Sequence, residues 1–64
     1  MNIEQALREA VENFRAGRLA YQSGNNEMAV MLMEKAVACD PSRPEYHNDL
    51  AGVYFALGRA SDAV

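Results

Sequence analysis

The chain has 64 residues, half of them apolar and 23% charged, and a net charge of −3. This balance describes a globular chain, and so short a chain makes one small domain, spanning 1–64, with a marginal core. The acidic balance gives no basic footprint for nucleic acid, and no apolar run approaches the ~20 residues of a membrane span. The start, Met1-Asn2-Ile3-Glu4-Gln5, has neither the basic nor the apolar part of a secretion signal. A lone cysteine, Cys39, excludes an internal disulfide and suits a reducing compartment, so the expected location is cytoplasmic.

The first helix is predicted over about 3–23. Asn2 is placed to cap it, with Gln5 reaching back to complete a capping box. Ile3, Leu7, Ala10, Val11, Phe14 and Tyr21 recur at helical spacing, while Asn13, Ala16, Gly17 and Ala20 make a second face of short side chains. Short side chains admit a neighbouring backbone, so that face should meet the next helix. Glu4 and Arg8 stand four apart in the favourable order on a solvated face. Gly24, able to take the left-handed conformation, should end the helix.

Asn25 or Asn26 should cap a second helix over about 27–39. Ala29, Met33, Ala36 and Val37 form its inward row, and Met28, Leu32 and Cys39 a flanking row suited to the following helix. Pro41 cannot extend the ladder and stops it at Asp40. Ser42-Arg43-Pro44-Glu45 then reads as a Ser cap, a proline in the first turn and an acidic residue three after the cap. The third helix, about 44–57, carries Tyr46, His47, Leu50, Ala51, Tyr54 and Phe55. Ala60 to Val64 look like the opening turn of a fourth helix, cut off before it can stabilise itself. A rival register puts the first turn at Gly17, but it buries Gln22-Ser23-Gly24-Asn25-Asn26 inside a helix at a cost of roughly 2–3 kcal/mol.

The plan repeats after 34 residues: Gly24 matches Gly58, Ala29 matches Ala63 and Val30 matches Val64. With Gly17 at the crossing, Ala29 and Ala36 in the second helix, Asp40-Pro41 closing the unit, and Leu50, Tyr54, Gly58 and Ala63 in the next, the chain resembles the tetratricopeptide repeat. About one and a half repeats are present. The resemblance implies an all-α fold, an antiparallel helix-turn-helix plus a third helix, and non-catalytic protein–protein interaction. Asn13, Ala20 and Asn26 depart from the family pattern, which places large aromatic residues there, so the first crossing should be tighter or tilted.

In this family the first helix of each unit lines a concave groove. Carried over by position, that groove takes Val11, Phe14, Arg18, Tyr21 and Gln22 from the first helix and Glu45, Asn48, Gly52 and Phe55 from the third. The subgroup that grips a C-terminal carboxylate uses Lys and Asn there; Phe14, Arg18 and the repelling Asp49 argue against that mode here. Leu50 and Tyr54 form a further packing face that lacks a fourth helix to cover it, as does the row Ile3, Leu7 and Phe14. Exposed apolar surface of this kind marks an interface, so self-association is expected, by face contact or helix exchange.

No catalytic residue, cofactor or metal site is expected. His47 stands where the family packs a bulky aromatic, Cys39 lies in an apolar row, and a Cys39–His47 dyad lacks an orienting third group. The glycines are single, so there is no phosphate cradle. The partner is therefore a protein or peptide, with no nucleic acid and no membrane. Two other readings stand beside this one: the N-terminal piece of a larger bacterial repeat protein, including the kind whose array precedes a transferase domain, and a homo-oligomerisation unit with no external ligand.

Overall fold

A computed structural model describes residues 2–58. Among these residues the fold is all-α, with no strand: α1 spans Ile3–Gln22, α2 Asn26–Cys39 and α3 Pro44–Ala56. The expected fourth helix, from Ala60 to Val64, lies outside the described residues.

Local chemistry sets each boundary. The Asn2 side chain accepts from the Gln5 backbone N–H at 2.7 Å and caps α1. Gln5 does not reach back as expected; its side-chain amide turns forward to Glu9 at 3.5 Å, so only half of the capping box forms. At the other end Gly24 has φ +85°, its N–H donates to Tyr21 O, and the N–H of Asn25 donates to Ala20 O. These two bonds satisfy the last carbonyls of α1 in a Schellman closure, which needs a left-handed residue at the glycine. Asn25 caps α2 by accepting from the Met28 N–H at 3.4 Å.

The entry to α3 differs from expectation. Arg43, not Ser42, is the N-cap residue, and it makes no side-chain cap bond. Ser42 is occupied elsewhere: its hydroxyl donates to Asp40 Oδ1 at 2.7 Å. Pro44 occupies the first turn as predicted, where its missing N–H costs nothing. Asp40 is buried and is held by Ser42 and by Arg43, whose Nε lies 3.6 Å from Asp40 Oδ2. His47 Nε2 lies 3.1 Å from Pro41 O on the exposed side of this joint. The four residues between α2 and α3, Asp40 to Arg43, are thus tied from both ends.

α2 packs against α1 on one side and α3 on the other, and the core lies along it. Ala29, Val30, Met33 and Val53 form one buried cluster, flanked by Phe14, Ala20, Leu50, Tyr54 and Leu57. Ala10, Ala36 and Tyr46 form the second, flanked by Phe14, Val37 and Cys39. Gly17 is buried at the crossing of α1 and α2, in mid-helix rather than at a turn. A Cβ built there would lie 2.8 Å from Met33 Cγ and 3.3 Å from both Ala29 O and Leu32 Cβ. The smallest side chain is therefore what lets the two helices approach.

Of the two rows on α2, the inward one packs as expected, but Met28 in the flanking row is exposed and the residue that meets α3 is Val30. Ile3 and Leu7 are also exposed, 76% and 43%. α1 has 20 residues and α2 has 14, so the first turns of α1 overhang its partner by about 9 Å at 1.5 Å per residue. Glu4 and Arg8 do not pair; among the described residues the ion pairs are those of Arg43 with Asp40 and Glu45.

Candidate binding cleft

α1 and α3 run side by side over α2, and between their facing edges lies a cleft of about 300 Å³. Arg18, Tyr21 and Gln22 of α1 form one wall, and Asn48, Asp49 and Gly52 of α3 form the other. Met33 of α2 and Val53 of α3, each about 1% exposed, form an apolar floor. A ligand there meets an apolar base between two polar rims, the general design of a binding site.

Helical register explains the lining. Arg18, Tyr21 and Gln22 stand three and four apart, on the edge of α1 next to the face that meets α2. Asn48, Asp49 and Gly52 make the matching edge of α3. Gly52 leaves its wall bare, since a Cβ built on it meets nothing within 4 Å.

Arg18, Gln22, Asn48 and Asp49 make no side-chain hydrogen bond or ion pair among the described residues. Arg18 and Asp49 carry opposite charges on opposite walls without closing onto each other. The Arg18 guanidinium instead lies 6.0 Å from the centre of the Phe14 ring, at the outer limit of a cation–π contact.

Of the residues expected in the groove, Arg18, Tyr21, Gln22, Asn48 and Gly52 come together in this cleft. Phe14 does not line it. Its ring stacks on Tyr46 with centroids 4.6 Å apart and planes tilted by 38°, and it flanks both core clusters. Such a pair contributes about 0.5–1.5 kcal/mol beyond burial, so Phe14 serves the fold. Val11 is half-buried and outside the cleft; Glu45 is exposed, also outside it, and pairs with Arg43 at 3.5 Å. Phe55 is 75% exposed and also stands away from the cleft. Leu50 and Tyr54, expected to lack cover, are half-buried against α2, and the Tyr54 hydroxyl donates to Glu34.

Two lining groups escaped the sequence reading. The spacing of Met33 marks it as inward but not as a floor, and Val53 stands outside the apolar row read for the third helix. The signal for Val53 is its spacing of seven from Tyr46, which puts the two on one face of α3.

No known family profile and no solved structure match the chain. It is 31% identical over 58 residues to the TPR repeat-containing thioredoxin TTL4 of Arabidopsis thaliana. That match covers 91% of this chain and 8% of the plant protein, so the chain spans a small part of that relative's length. A sequence likeness to a repeat protein along nearly all of the chain, joined to antiparallel helices that cross at a glycine, supports a tetratricopeptide-like family for this chain.

Proposed function

We propose that the chain is a non-catalytic interaction module whose cleft between α1 and α3 receives an extended segment of a protein partner. Repeats of this family are in general protein-binding and non-catalytic. The observation that carries the reading is the cleft itself: an apolar floor of Met33 and Val53 between rims whose Arg18, Gln22, Asn48 and Asp49 side chains make no hydrogen bond or ion pair among the described residues. Such groups gain hydrogen bonds when a peptide backbone arrives, and the floor accepts an alternate side chain of an extended strand. Thioredoxin chemistry does not transfer from the relative, because a dithiol needs two cysteines and this chain has Cys39 alone. The lone cysteine suits the cytoplasm, and no helix among the described residues is long and apolar enough to cross a membrane.

The test uses Gly52, which can be enlarged without a clash. Peptides selected from a displayed random library against the native chain should bind it and lose binding to Gly52→Leu, whose side chain occupies the cleft. Peptides that bind both proteins equally would sink the reading. A second reading, self-association, is favoured by Leu19, Met28, Met31 and Phe55, which are 44% to 75% exposed and lie outside the cleft. Light scattering at tens of micromolar separates the two: a monomer mass with a cooperative melt removes self-association and leaves the cleft.

A further inference from the structure

We infer that the segment taken up by this cleft is bipolar, presenting an acidic side chain to Arg18, a small apolar side chain to the floor, and a basic side chain to Asp49. This rests on the cleft being the binding site and adds the chemistry of its occupant. Two observations carry it. Arg18 and Asp49 line opposite walls of one cleft of about 300 Å³, yet neither makes an ion pair among the described residues. The floor between the two charges, Met33 and Val53 beside the bare Gly52, suits a short apolar side chain rather than a charge.

An occupant with a single sign of charge satisfies one wall and is repelled by the other, and an uncharged one satisfies neither. A bipolar occupant is attracted at both. Like-charge juxtaposition suppresses wrong partners, so this arrangement selects more than it strengthens. Chain direction is not fixed by charge alone, since the same segment run backwards offers the same two ends. Selection is therefore expected between charge compositions and not between the two orders.

The experiment uses capped synthetic peptides with one central valine and flanking residues of acid and base, acid and acid, base and base, or two serines, each pair separated from the valine by one glycine. Binding is followed by NMR titration of the native chain and of Arg18→Glu and Asp49→Lys, the first exposed and the second half-buried, with folding checked by circular dichroism. The native chain should prefer the acid–base peptide over the serine peptide by about fourfold to tenfold, from two exposed pairs of modest strength. Arg18→Glu should move the preference to the base–base peptide, and Asp49→Lys to the acid–acid peptide. Raising the salt should narrow all of these differences. Equal binding of the serine peptide, or one ranking shared by the three proteins, overturns the bipolar occupant and leaves the cleft standing. If neither these peptides nor any library member binds the native chain, the cleft falls and the bipolar occupant with it.

Discussion

At the crossing of α1 with α2, Gly17 meets Ala29 and Leu32, and Ala10 sits against Ala36; at the meeting of α2 with α3 the buried residues are Val30, Met33, Tyr46 and Val53. The first joint is held by proximity. Small residues bring the backbones together, and added volume has nowhere to go. The second is held by volume, since large side chains fill the wider gap and their removal leaves a hole. Tyr46 links the two, packing into the cluster of Ala10 and Ala36 and stacking on Phe14. The same core is therefore sensitive to opposite changes on its two sides.

The largest expected effect is at the joint held by volume. Tyr46 is 3% exposed, and Tyr46→Ala should cost about 3–4 kcal/mol, in the range of large-to-small aromatic truncations. That is much of the stability such a small domain has, so urea melts should show a chain largely unfolded without denaturant. Tyr46→Phe keeps the ring and should stay within about 0.5 kcal/mol of the native chain. Comparable losses in both variants would show that the hydroxyl, and not the packed ring, holds the joint.

At the joint held by proximity the sign is reversed: adding atoms harms it. Gly17→Leu places a branched side chain where even a Cβ lies 2.8 Å from Met33 Cγ and 3.3 Å from the backbone of Ala29. Met33 can shift, but the Ala29 carbonyl cannot without moving α2, so a loss of about 2–3 kcal/mol is expected from overpacking. A melt unchanged from the native chain would mean that the helices are not closely apposed there.

These two joints also show what could be read in advance. The helices and reversals were legible because each has a local chemical cause: Asn2 and Asn25 accept from the first-turn N–H groups, Gly24 takes φ +85°, and Pro44 opens α3. The small-residue crossing was legible too, since Gly17 and Ala20 have few other reasons to share a face. Val30 and Val53 were not. Met28 to Met33 is an unbroken apolar run, and Val53-Tyr54-Phe55 follows Ala51 and Gly52, so periodicity cannot choose the buried face; only the neighbouring helix can. The Ser42 cap failed for a similar reason, because its hydroxyl had a stronger acceptor in the Asp40 carboxylate. In the cleft, position within the family pattern pointed to Arg18, Tyr21, Gln22, Asn48 and Gly52, whereas Phe14 was lost to the core because its partner Tyr46 lies on another helix.

One substitution made at two glycines tests the comparison at its finest grain. Gly24→Ala forces a Cβ into the left-handed region at φ +85° with nothing nearby to compensate, and should cost about 1–2 kcal/mol. Gly52→Ala lies inside α3 with open space around the new methyl, and should stabilise the chain by about 0.5–1 kcal/mol through helix propensity. Thermal melts of the two variants should therefore move in opposite directions from the native midpoint. The stabilising member also bears on the cleft, because its methyl stands on the wall that Gly52 shares with Asn48 and Asp49. A peptide that needs Gly52 bare should bind the more stable protein less well, which separates loss of binding from loss of fold. If Gly52→Ala destabilises instead, α3 is not a regular helix along that wall and the cleft is not shaped as described.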